Sequence, residues 1–364
     1  MWTWLAYLSV TVCVLIILVE FLWLYILSAR SESKTAARRE AEEEISSRIE
    51  NIIHSPTQSS MDKEVSALKN YVKKDRVKMD ILSDMLLDIF MKNDIMENEA
   101  KQKAIYLIYN AINPKEYYSA LLRSGNTYDK AYACRKLSDF FAEDEVASIR
   151  SFAFSNNKDL AYNAAITLSM LGDEDSVAEV ILSLQYNRRL SHRIIVEIID
   201  KYSGDLTSLA RKIMGKADEY ILSSLIKALA KYKLEEFEDK YISYLREGSV
   251  NLKVAALRAL GELGKTKYEH DFLVAVNSKN WIVRSAAVKA MKNIPTERIL
   301  NAIMLATKDP EWWVRYNAAK SLVAVDKDFT YVEKILQGYD QFAAEAVKHA
   351  LYQIYDKNSG DIAS

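Results

Sequence analysis

The same short amphipathic helix is written eight times in this chain at an almost constant interval. "LKVAALRALGELG" (Leu252–Gly264) returns as "VRSAAVKAMKNIP" (Val283–Pro295) and again as "VRYNAAKSLVAVD" (Val314–Asp326). The last large apolar residue of each copy is Leu137, Leu168, Ile198, Leu229, Leu260, Met291, Leu322 and Leu351, at intervals of 31, 30, 31, 31, 31, 31 and 29 residues. Three and four positions earlier stand small or apolar pairs such as Ala165 with Ala164, Val288 with Ala287 and Ala319 with Ala318. Small side chains at that helical spacing let neighbouring helices approach closely. A second short helix fits between successive copies, as in "TERILNAIMLAT" (Thr296–Thr307). A helix pair of this size cannot bury its apolar face alone, so copies must stack on one another. Only 9 Gly and 4 Pro punctuate 364 residues, which suits helices joined by short turns.

The second helix, in outline D-x-x-x-V-R-x-x-A-A-x-x-L, resembles the HEAT-repeat family in its short bacterial form. The best matches are "NWIVRSAAVKAM" (Asn280–Met291) and "DPEWWVRYNAAKSL" (Asp309–Leu322), and the resemblance covers residues 113–358. It implies an all-α solenoid whose second helices line a concave side that holds another macromolecule. It also implies a ladder of hydrogen bonds between repeats, here through Arg284, Asp309 and Arg315. Lys253 replaces the arginine one repeat earlier, and the repeats around Ser191 and Leu222 lack it, so the ladder is expected to break mid-array.

Ahead of the repeats lies "MWTWLAYLSVTVCVLIILVEFLWLYIL", in which Trp4 to Leu27 carry one charge, Glu20. These 24 residues predict a transmembrane helix, since about 20 suffice to cross a bilayer core. A cleaved signal would want a basic start and a shorter apolar run. Arg30, Lys34, Arg38 and Arg39 follow the span, which predicts an outside N-terminus and a cytoplasmic repeat domain. The expected organisation is a transmembrane anchor over 1–29, a helical stalk and linker over 30–60, an atypical helical cap over 61–112, the repeat solenoid over 113–358 and a flexible tail over 359–364.

Candidate contact residues follow from this layout. Glu20 would either reach towards headgroups or meet a polar group in another membrane helix. "KNYVKKDRVK" contains Lys69, Lys73, Lys74, Arg76 and Lys78 against one acid, a solvated face or a membrane-surface cluster. Trp281 and Trp312 occupy the same repeat position, with Trp313 and Tyr316 beside the latter. They either pack between repeats or form an exposed rim of the kind found at binding hot spots. Arg188 and Arg189 in "YNRRLSHR" could face an acidic partner or lie in a solvated turn.

No residue set reads as a catalytic centre. His54, His192, His270 and His349 stand far apart with no metal-ligand spacing, and no cofactor is expected. "GELGKT" (Gly261–Thr266) ends a helix, whereas a phosphate loop begins one. Cys134 takes a position that other repeats give to alanine and is expected to be a buried thiol. With 49 Lys and Arg against 50 Asp and Glu, the basic excess of a nucleic-acid binder is missing. The expected function is a non-enzymatic, membrane-tethered scaffold that docks the cytoplasmic part of an integral membrane protein or complex, a cell-envelope polysaccharide synthase among the hosts considered. Pigment-attaching lyases and nucleic-acid binders are also built from HEAT-like repeats. The apolar leader argues against the first, and the mixed charge of the array argues against the second.

Overall fold

The computed structural model of the protein describes residues 2–91, 99–186 and 193–356. They divide into two compact units, Met1–Arg123 and Ser124–Ser364.

In the first unit α1 (Trp2–Ile53), α2 (Gln58–Val72), α3 (Arg76–Met91), α4 (Glu99–Ile112) and α5 (Pro114–Ser124) follow one another. The lower half of α1 is a packing helix. Ala41, Ile45, Ile49 and Ile52 recur at helical spacing and are buried against α2, α3 and α4. The Tyr118 hydroxyl of α5 donates to Asp80 Oδ1 at 2.7 Å, tying α5 to α3.

The expected membrane anchor is not found. Among the described residues no helix is long and apolar enough to cross a membrane. The transmembrane part of the expected fold, the single-pass topology with its cytoplasmic repeat domain, the membrane tether and the membrane-protein partner are corrected accordingly. The membrane-helix contact assigned to Glu20, an exposed residue of α1, loses its basis with them.

The second unit is a helical array. Its second helices are α6 (Thr127–Asp139), α8 (Lys158–Leu171), α10 (Arg193–Lys201), α12 (Glu219–Leu229), α14 (Val250–Leu263), α16 (Trp281–Met291), α18 (Trp312–Val325) and α20 (Gln341–Leu351). Between them lie α7 (Val146–Ala153), α9 (Glu174–Ser183), α11 (Leu206–Met214), α13 (Glu238–Glu247), α15 (Glu269–Val276), α17 (Glu297–Ala306) and α19 (Thr330–Leu336). Each second helix packs on the next, from α6 on α8 through to α18 on α20. The seven anchors from Leu137 to Leu322 are fully buried, while Leu351 is half-buried.

The starts of the second helices are set locally. Asn126, Asn157, Asp218, Ser249, Asn280 and Asp340 each stand eleven residues before an anchor, and each side chain accepts a backbone N–H of the first turn. Such caps satisfy donors that the helix itself leaves open. Gly264 ends α14 in the left-handed conformation (φ 66°), so "GELGKT" is the stop of one helix and the turn to the next.

Candidate functional site

The caps fix which residues point outwards. The residue eight before each of the last three anchors, Val283, Val314 or Ala343, is buried, and the one or two before it must then lie on the outside of the first turn. In α16, α18 and α20 those outer positions hold Trp281, Ile282, Trp312, Trp313 and Phe342. Trp281 is 37% exposed, Trp312 and Trp313 52% each, and Phe342 69%. Earlier repeats place Thr127 and the exposed Tyr128, Lys158 and Asp159, Glu219 and Tyr220, or Val250 and Asn251 there. The array thus ends in an aromatic ridge, although large apolar side chains ordinarily leave water.

Within the ridge the stacked pair belongs to one helix. Trp312 lies on Tyr316 with centroids 5.1 Å apart and planes at 14°, and Trp313 meets Trp312 edge-on at 4.6 Å. Among the described residues Trp281 makes no ring contact with Trp312. Tyr316 is held from the other side, its hydroxyl donating to Gln353 Oε1 at 3.0 Å and its ring 5.8 Å from His349. Trp312, Tyr316 and His349, with Arg315 and Phe342, wall a cavity of about 240 Å³ between α18 and α20.

The arginines of the ladder differ from one another. The Arg284 guanidinium donates from Nε to Asp309 Oδ2 at 2.7 Å and from Nη2 to Asp309 Oδ1 at 2.9 Å, with both side chains largely buried. Its Nη1 donates to the Ser278 and Lys279 carbonyls. Burial alone would raise the Asp309 carboxyl, but hydrogen bonds from Arg284 and from the Glu311 N–H hold it below its ordinary value. Arg315 donates only from Nη1, to the Asp309 and Pro310 carbonyls at 2.8 Å each.

A longer ionic row, unmarked by any motif in the sequence, runs along the first helices. Arg150 pairs with Glu179, Lys212 with Glu174 and Asp175, Arg211 with Glu236, Arg246 with Asp271, and Arg298 with Glu269. Lys265 and Lys267 both pair with Glu238, whose side chain is mostly buried. Burial would raise Glu238, yet the two ammonium groups bring it down to about 2.

Other candidates fall elsewhere. Lys69 lies in the last turn of α2, and Lys73 and Lys74 are exposed at the turn that follows. Arg76 opens α3, and Lys78 and Arg48 both approach the Tyr71 ring, at 3.6 and 4.8 Å from its centroid. With no membrane span among the described residues, nothing fixes this cluster beside a leaflet. Arg188 and Arg189 lie outside the described residues. Among those described, no group of three or more His, Cys, Asp or Glu is placed to hold a metal ion.

Residues 238–323 and 270–353 match the family model for HEAT repeats. No curated protein matches the chain. Among solved structures it is similar to the one titled "Crystal structure of Kap121p bound to Pho4p", at 11% identity and a TM-score of 0.32. The matched region covers 86% of this chain and 37% of that one. Within the matched repeats Asn280 caps α16 and the Arg284–Asp309 rung joins α16 to the loop before α18.

Proposed function

We propose that the second unit is a protein-docking scaffold and that its partner seats on the ridge formed by Trp281, Trp312, Trp313 and Phe342. One observation carries this reading: four large aromatic side chains stand exposed at equivalent first-turn positions of three successive helices. Aromatic anchors grouped in this way supply most of the binding energy in many protein interfaces. Among the described earlier repeats these positions hold one tyrosine at most, as Tyr128 or Tyr220, so the grouping of aromatics is particular to α16, α18 and α20. Stacking of Trp312 on Tyr316, and of Tyr316 against His349 of α20, presents rigid surface with little entropy left to lose on binding.

The test places a photo-crosslinking amino acid at position 282, beside the ridge, and at position 143, far from it in sequence. A stoichiometric adduct to one protein from position 282 alone is expected. Trp312→Ala with Trp313→Ala should abolish that adduct while leaving the melting curve within a few degrees of the parent. Unchanged crosslinking in the double variant would move the interface elsewhere.

A further inference from the structure

The two arginines at equivalent positions of α16 and α18 are used differently. Arg284 and Arg315 each stand seven residues before an anchor, and each turns Nη1 onto two carbonyls of the preceding loop. Arg284 then closes its Nε–Nη2 edge on the carboxylate of Asp309, thirteen residues before the next anchor. For Arg315 the next anchor is Leu351, reached after 29 residues instead of 31, and the residue thirteen before it is Gly338. The rung has lost its acid. Asp340, the nearest acid on that loop, is turned into its own helix and accepts the Ala343 N–H at 3.0 Å.

Among the described residues Arg315 makes no ion pair. Its guanidinium lies 5.5 Å from the centroid of Phe342 and lines the cavity between α18 and α20 together with Trp312, Tyr316 and His349. Lys320, outside the lining, brings a second cation 5.4 Å from the Tyr316 centroid. Glu345 is the one acidic residue on the lining. A guanidinium fork with two parallel donors fits a carboxylate better than any other common side-chain group. The aromatic walls beside it fit a flat or apolar side chain.

We propose that this cavity receives a carboxylate side chain from an acidic segment of the docked partner, next to an aromatic residue of that segment. The incoming carboxylate completes on Arg315 the rung that Asp309 completes on Arg284. The aromatic neighbour lies against Trp312 and Phe342. This inference rests on the docking function proposed above and specifies the chemistry of what docks.

The probe is a pair of fluorescein-labelled peptides with Glu-Phe-Glu and Gln-Phe-Gln cores in otherwise identical flanks. Binding is followed by polarisation on the full chain. The acidic peptide is expected to bind, and the amide peptide about tenfold more weakly or worse. Arg315→Gln and Arg315→Lys should each bring the acidic peptide down to the affinity of the amide peptide. The amide peptide should bind all three proteins alike, which separates loss of the fork from misfolding. Equal binding of both peptides, or discrimination that survives Arg315→Gln, would overturn the carboxylate assignment and leave the ridge as a docking surface. Binding of neither peptide, with the photo-crosslink at position 282 intact, would have the same meaning. Self-association that Arg315→Gln abolishes would make a second copy of this chain the occupant and overturn the partner segment.

Discussion

The backbone of Gly261 in α14 approaches Ala290 in α16 so closely that a methyl group on it would lie 2.7 Å from the Ala290 Cβ. The Ala290 Cα would be 3.0 Å away, and neither atom belongs to a flexible tip that can swing aside. Gly261→Ala sets two effects against each other. Alanine is better than glycine in a helix by about 1 kcal/mol, whereas forcing helices apart in a packed core costs about 1–3 kcal/mol. We expect the steric cost to win and the variant to melt several degrees below the parent. A higher melting temperature would show that α14 and α16 can separate freely.

The Arg284–Asp309 pair offers a second measurement. Its two parallel hydrogen bonds are largely out of water, so removing one partner strands the other. Asp309→Asn should destabilise by about 2 kcal/mol, a drop of roughly 4–8 °C for a unit of this size. Arg298→Ala, which breaks the pair of an exposed arginine with Glu269, should change stability by less than about 1 kcal/mol. Thermal melts of both variants decide whether burial or pair count sets the value of a rung.

Acid should act on the array through Glu238. Its folded-state value of about 2 lies below its ordinary 4.5, so it stabilises the fold above about 4.5 and ceases to as pH falls towards 2. Unfolding titrations with urea between pH 6 and 2 should show stability falling through that window. Glu238→Gln should flatten the fall and converge with the parent near pH 2. Parallel curves for the two proteins would place the acid sensitivity in other carboxylates.

Cys134 is fully buried in α6, and burial pushes its thiol up to about 12. In a Cys13→Ser background, a thiol-specific disulfide reagent at pH 8 should react only as fast as the array opens, and immediately in denaturant. Rapid labelling of the native protein would place Cys134 at the surface.

The repeat is legible in the sequence because the anchors and the small residues before them must recur wherever helices of one kind stack. The helix starts are equally legible in retrospect. Asn126, Asn157, Asp218, Ser249, Asn280 and Asp340 keep one distance from their anchors because a cap acts only at the first turn. The ion pairs of the first helices are not legible, since a pair such as Arg246 with Asp271 depends on how two helices 25 residues apart are rotated against each other. The apolar leader misled for a related reason. A count along the chain takes Trp4 to Leu27 as one span, while among the described residues no helix is long and apolar enough to cross a membrane, and α1 continues into a half packed against α2, α3 and α4. Trp281, Trp312 and Trp313 were visible as a cluster, but their exposure follows only once the buried Val283 and Val314 set the rotation of each helix.

Each second helix packs on the second helices beside it in line, and among the described residues α20 packs on α18, α19 and the turn Tyr352–Asp356 that follows it. In a linear array of this kind the end member opens at lower free energy than the interior ones. Amide protons of α20 should therefore exchange faster than those of α14, and the aromatic side chains of the ridge sit across the boundary between the two regimes. A ligand that bridges Trp312 and Phe342 is then also a clasp. It binds only the closed state, slows the fraying of the last helix, and by linkage gains affinity from every change that stabilises that closure.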